Sequence, residues 1–287
     1  MKNILFYGNC QPGSLYEIMR DGLKKYKISV VLCWADTKID KNYFTSLIQN
    51  SDVIITQPIQ PNYNNVDYLN TEYVLTNAKK TAQIFIFPSL YFDCYYPDLT
   101  YYHNNDKLLR EPSDYHYNKL IETYCEGKDK NYFIEHYFNN LTYKTVDDLL
   151  LTVNNSLEEL EKRENTCDKY MEIIPCKIIK IMSYIKNNYK QKLLFYSMNH
   201  PSKYLFQYIA KIIFTDLDID THLINYNVDP LFVSERGLLY KCIQQIVDFD
   251  IETHKPHLSC NNFDDVNKII ETYFNHYKKI NLQKNTL

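Results

Sequence analysis

Glycine is scarce: the 287-residue chain contains five. That leaves no room for a glycine-rich phosphate loop, so any nucleotide phosphate would have to be held by helix N-termini and a few cations. Long apolar runs are missing too. None approaches the roughly 18 residues of a membrane-spanning helix, so no membrane span is expected. Met1-Lys2-Asn3 leads straight into the apolar Ile4-Leu5-Phe6-Tyr7, with no small-residue cleavage site after it. The eight cysteines include no C-x-x-C pair, which points to reduced thiols and a cytoplasmic protein rather than a disulfide scaffold. A net charge of -3 gives no general reason to expect nucleic acid or an anionic membrane as a partner.

What is present is ordinary for a globular chain. Hydrophobic residues make up 45% and charged residues 23%, a balance that argues against disorder. The 28 tyrosines read as amphipathic residues at the edge of a core, not as an aromatic binding surface.

Short apolar runs at 4–7, 29–34, 53–56 and 83–87 alternate with helical stretches at 14–26, 41–50 and 71–79. A fifth run lies at 193–197, followed by an amphipathic helix carrying Tyr204, Leu205, Tyr208, Ile209, Ile212 and Ile213. This alternation predicts an α/β fold: a three-layer α/β/α arrangement on a mostly parallel five-stranded sheet, flavodoxin-like. Residues 113–189 read as mostly helical with no good strand. Within them, 147–164 forms one helix with Leu149, Leu150, Val153, Leu157 and Leu160 inward. Further helices are expected at 235–249 and 263–279. The expected organisation is a core of 1–112 with 190–232, a helical insertion or cap at 113–189, and C-terminal helices over 233–287 packed on the core.

Gly8-Asn9-Cys10-Gln11-Pro12-Gly13 joins the first strand to the first helix. Ligands of open α/β sheets bind outside the carboxyl ends of the strands, where this turn lies. A helix start offers N–H groups to an oxyanion and lowers the pKa of a thiol placed there, so Cys10 is the nucleophile candidate. Read alone, a strand-end cysteine is more often a small buried hydrophobe; polar Asn9 and Gln11 tilt the reading towards a site. Ser197-Met198-Asn199-His200-Pro201 follows the fifth run and opens a helix, whose dipole keeps His200 neutral and able to act as a general base. The bland alternative for His200 is a helix cap. Gln57, held by the following Pro58, would join Asn9 and Gln11 in donating to a developing oxyanion.

Gly8-Asn9-Cys10-Gln11, Gln57-Pro58-Ile59, Pro88 through Tyr96-Pro97-Asp98, and Asn199-His200-Pro201 occur in order at successive strand ends. That series resembles the WcbI-type polysaccharide biosynthesis family over about residues 3 to 215. The resemblance implies a fold similar to SGNH-type esterases and acetyltransferases, a role in capsule or surface-polysaccharide assembly, and binding of coenzyme A or a related phosphoadenosine nucleotide. It places Cys10 where the SGNH serine nucleophile stands and His200 at the late histidine. The aspartate three residues before that histidine is replaced by Ser197, which leaves Asp93 or Asp98 as candidates to orient the ring.

Together these imply an acyltransferase taking acetyl-CoA as acyl donor and a saccharide hydroxyl as acceptor, with Cys10 and His200 catalytic, either with Cys10 attacking the thioester or with the hydroxyl attacking it directly and His200 as base. Gly8, Asn9, Gln11, Gln57, Asn199 and Asp98 would position the substrate or oxyanion. Arg110, Lys203 and Arg236 are the cations assigned to cofactor phosphates. A sugar esterase of the same fold and a non-catalytic nucleotide-binding protein are the alternatives. His254, His257 and Cys260 cluster near the C-terminus, but Pro256 in the spacer breaks helical alignment and no second cluster completes a ligand set, so no metal is expected.

Overall fold

A computed structural model describes residues 1–36, 38–260 and 264–282. It has an α/β/α architecture on a five-stranded sheet with added helices, matching the expected fold class. The strands are β1 (Asn3–Gly8), β2 (Lys27–Leu32), β3 (Val53–Thr56), β4 (Gln83–Ile86) and β5 (Lys177–Ile178), in the order β2-β1-β3-β4-β5. Every adjacent pair is parallel, with Gly8 opposite Leu32 and Thr56 opposite both Tyr7 and Ile86.

Strands of a parallel sheet are covered on both faces, so β1 and β3 read as continuous apolar runs rather than alternating ones. Leu5 and Tyr7 pack in one cluster with Phe44 and Ile48 of α2 (Lys41–Asn50) and Val74 and Leu75 of α3 (Thr71–Asn77). Phe6 lies against Tyr16 of α1 (Cys10–Met19), with ring centroids 5.6 Å apart. Helix Lys203–Asp216 buries Leu205, Ile209 and Ile213 from the expected stripe, together with Phe206, Ala210 and Phe214.

By internal packing the chain separates into two compact units. One comprises Met1–Leu90, Leu157–Asn187 and Pro201–Pro230; the other comprises Tyr91–Ser156, Asn188–His200 and Leu231–Leu287. The first holds the sheet. In the second, Leu99–Thr100 pairs antiparallel with His116–Tyr117, and helices Asn118–Cys125 and Val266–Lys279 bury Leu120, Ile121, Ile269, Ile270, Tyr273 and Tyr277.

Several sequence expectations are corrected. The fifth strand is Lys177–Ile178, inside the block expected to be helical; 193–197 lies outside the main sheet, with Phe195–Ser197 in a separate two-stranded one. A two-residue strand is too short to show alternation, while Leu194, Phe195 and Tyr196 form an apolar run that is buried without belonging to the main sheet. The first helix begins at Cys10, earlier than expected, because Asn9 caps it. No α-helix forms over 235–249, where only Lys241–Gln245 makes a 3-10 turn. The backbone there is engaged elsewhere: Arg236 exchanges both backbone hydrogen bonds with His257, and the Gly237 N–H donates to the Tyr196 carbonyl. The helix expected over 263–279 spans Val266–Lys279; Phe263 lies outside the described residues. The long helix is Val146–Cys167, burying Leu149, Val153, Leu157 and Leu160, with Leu150 half-buried. No helix among the described residues is long and apolar enough to cross a membrane.

Candidate active site

Cys10 is the first residue of α1, just past the carboxyl end of β1. The Asn9 side chain accepts a hydrogen bond from the Gln11 N–H at 2.8 Å and so caps the helix. Its amide nitrogen donates to the Ser89 hydroxyl at 3.3 Å, linking this turn to the one after β4. Gly8 has φ 155°, and a Cβ there would meet Pro12 Cγ at 2.8 Å and Gln57 Oε1 at 3.0 Å. Only glycine permits so close an approach.

Beneath the turn lies a buried amide ladder. Gln11 donates to the Leu90 carbonyl at 2.9 Å and accepts from the Leu90 N–H at 3.0 Å, which settles which end of its amide is oxygen. Gln57 Nε2 then donates to Gln11 Oε1 at 2.6 Å and to the Pro88 carbonyl at 3.3 Å. Both N–H groups of Gln57 are therefore committed to protein, and its buried Oε1 has no hydrogen-bond partner. In this arrangement Gln57 presents an acceptor, the reverse of the oxyanion donor expected of it.

Cys10 is half-buried. Burial pushes its thiol above the ordinary value, and the lowering by its own backbone N–H is the smaller effect. The expected activation by the helix start does not prevail: desolvation outweighs it.

His200 belongs to the second unit. Its Nδ1 lies 3.3 Å from the Glu235 carbonyl oxygen and 3.5 Å from the Ser234 hydroxyl. A carbonyl can only accept, so Nδ1 carries the proton and Nε2 the lone pair. Nε2 is 3.3 Å from the Tyr115 hydroxyl, whose own proton is directed at Asn199 Oδ1, 2.5 Å away. Burial lowers the His200 pKa, and the bond to Glu235 offsets this only in part. The ring is thus neutral at pH 7, with Nε2 able to take up a proton. Around it lies a cavity of about 380 Å³ lined by Arg110, Tyr115, His200, Ser234, Glu235 and Cys260, among others. Burial pushes the Glu235 carboxyl up to about 7.

The remaining expected residues fall elsewhere. Asp98 accepts from the Tyr240 hydroxyl at 2.7 Å and from the Lys119 N–H at 3.0 Å, capping helix Asn118–Cys125; burial pushes it up to about 6. Asp93 accepts from Ser156 and Tyr91. Neither supplies the hydrogen bond at His200 Nδ1. Asn199 accepts from Tyr115 and Ser197 and donates to the Tyr101 hydroxyl, so it braces the His200 loop. Arg110 pairs with Asp114 at the surface and lines the His200 cavity. Lys203 donates to the Tyr226 carbonyl. Arg236 is buried, donating to the Phe232 and Lys255 carbonyls and pairing with Asp264, which makes it a clamp on its own loop. His254 contacts the Gly237 carbonyl and His257 the Asp264 carboxylate. Among the described residues no cluster of three His, Cys, Asp or Glu side chains is arranged to hold a metal.

Tyr115, Ser234 and Glu235 were not singled out in the sequence. The signal that marks the last two is Gly237: in a chain with five glycines, one sits where a Cβ would meet the Tyr96 ring at 2.8 Å. It pins the Ser234-Glu235 loop against the second unit's core.

The family model described as polysaccharide biosynthesis enzyme WcbI matches residues 3–222. No curated protein matches the chain. One solved structure is similar over 97% of this chain and 90% of its own, with a TM-score of 0.81 at 18% identity. It is described as WcbI, a polysaccharide biosynthesis enzyme, in its native form without a disulfide bond between coenzyme A and one of its cysteines.

Proposed function

The chain belongs to the WcbI polysaccharide biosynthesis enzyme family, and on that premise we propose that it transfers an acetyl group from acetyl-coenzyme A to a saccharide hydroxyl. The SGNH-like reading of the fold belongs to this proposal. The observation that carries it is the His200 ring, neutral, with Nδ1–H directed at a main-chain carbonyl and Nε2 left as a base in a polar cavity. In the proposed step Nε2 removes the proton of the acceptor hydroxyl as that oxygen attacks the thioester carbonyl. The carbon–sulfur bond breaks, and the proton passes from the imidazolium to the departing thiolate. Direct transfer suits the raised Cys10 thiol, which is not a resident thiolate. The association of the related protein with coenzyme A supports the choice of donor.

Native mass spectrometry with coenzyme A and acetyl-CoA tests donor binding, and thiol release with a panel of saccharides tests transfer. Thiol release that needs a saccharide and yields an acetylated sugar is the expected result. Release without any saccharide would assign a hydrolase instead. Binding with no release under any condition would leave a nucleotide-binding protein, a reading favoured by the absence of a carboxylate at His200 Nδ1 among the described residues.

A further inference from the structure

A second cavity, of about 380 Å³, lies wholly within the first unit and is lined by Pro58, Ser89, Glu159, Lys162, Arg163 and Thr166, among others. Pro58 and Ser89 follow β3 and β4, so the cavity opens at the carboxyl ends of the strands, where α/β sheets take their ligands. The other four residues come from helix Val146–Cys167. Their spacing of three, one and three residues sets them on one helical face. Arg163 is half-buried; it pairs with Glu159 at 2.9 Å and donates to the Ser89 carbonyl at 3.4 Å. Lys162 makes no hydrogen bond or ion pair of its ammonium among the described residues, and Glu159 lines the cavity with it. The Ser89 hydroxyl that accepts from Asn9 ties this cavity to the turn bearing Cys10.

We propose that this cavity binds an oxyanion group, a phosphate or a carboxylate, with Lys162 as its pairing cation and Arg163 as the fixed wall. The Lys162 ammonium is a charged donor at the cavity wall, and the Ser89 hydroxyl, which accepts from Asn9, lines the same cavity as a second hydrogen-bonding group. The naming of the ligand rests on the transferase reading: the anion is a phosphate of the coenzyme A donor or the acidic group of an anionic saccharide. The cavity itself does not depend on that reading.

Protection of Lys162 from an amine-modifying reagent by inorganic phosphate, read by peptide mass spectrometry, tests the cavity alone. Sodium chloride at matched ionic strength is the control. Modification is expected to slow several-fold with phosphate and not with chloride. Calorimetric titration of coenzyme A, pantetheine and glucuronate against wild type and Lys162→Glu then separates the sources; Lys162 is exposed, so the variant should fold. A tenfold or greater loss of coenzyme A affinity with pantetheine unchanged assigns the anion to the donor. The same loss for glucuronate with coenzyme A unchanged assigns it to the acceptor. If phosphate gives no protection and no affinity changes in the variant, the proposal is overturned. If wild type binds no coenzyme A while phosphate still protects Lys162, the transferase reading fails and the oxyanion site stands.

Discussion

The surroundings of Cys10 and His200 are governed by one physical effect with opposite chemical results. Burial disfavours charge, so it raises the thiol and lowers the imidazole. Each group is kept neutral. A neutral imidazole is a ready base, whereas a neutral thiol is an unready nucleophile. The scaffolding differs in the same sense. Cys10 sits next to a buried ladder that runs from the Gln57 amide through the Gln11 amide to the Leu90 backbone, with both Gln57 N–H groups and one of Gln11 donating to protein. His200 is aimed by a main-chain carbonyl, with a tyrosine hydroxyl beside its open nitrogen. One site is built to hold its turn still, the other to leave an atom available.

The largest effect should therefore come from His200. His200→Gln is expected to lower kcat by about 10²–10⁴-fold, the usual worth of a general base, in a steady-state assay of saccharide-dependent thiol release. The pH profile sharpens the point. Because the His200 pKa is lowered, activity should rise with pH and level off below the ordinary imidazole range near 6.5. Cys10→Ala should cost much less, about tenfold or under, if transfer is direct. A Cys10→Ala loss equal to that of His200→Gln, with an acetyl group found on Cys10 in wild type, would break the contrast and restore a covalent route.

The amide ladder offers a stability test of intermediate size. Gly8→Ala combines a positive φ with a Cβ 2.8 Å from Pro12 and 3.0 Å from Gln57, and is expected to cost about 1–3 kcal/mol in urea unfolding. Gly13→Ala is the control: its Cβ would meet only ordinary contacts at 3.5 Å and beyond. Equal losses in the two variants would mean that the Gly8 approach is not what holds the turn.

The two sites also differ in how legible they were in the sequence. The parallel core was readable because β1, β3 and β4 are unbroken apolar runs between amphipathic helices, and the Cys10 turn follows from its place after β1. The His200 motif was readable as residues but not as a mechanism. Its ring is oriented by the Glu235 carbonyl, a main-chain atom that every residue but its neighbours could equally supply, and 35 positions away in the chain. Ser234 and Glu235 also lie beyond the residues 3–222 that the family model matches. The raised Cys10 thiol is not legible in the sequence because a helix start is visible there and burial is not. Similarly, the expected helix at 235–249 failed because the hydrogen bonds of Arg236 and Gly237 go to distant partners, His257 and Tyr196.

The smallest predicted effect concerns Glu235, whose backbone serves His200 while its carboxyl lies in the same cavity. Burial raises that carboxyl from 4.5 to about 7. A folded-state pKa above the unfolded one means the native protein holds the proton longer. The group costs nothing below about pH 4.5, where both states are protonated. Its penalty grows as pH rises from 4.5 to 7 and is constant above that. Glu235→Gln removes the titrating charge and keeps the main-chain carbonyl on His200. It should leave stability unchanged at pH 4 and raise it at pH 8, on the order of 1–2 kcal/mol once water around a partly exposed group is allowed for. Urea unfolding at the two pH values measures this directly. A gain of equal size at both would show that the side chain is disfavoured by its shape, not its charge. A loss at pH 8 would mean that the Glu235 carboxylate is stabilised in the cavity by a positive charge, and would move the second unit's cavity from a base held neutral towards a paired ionic site.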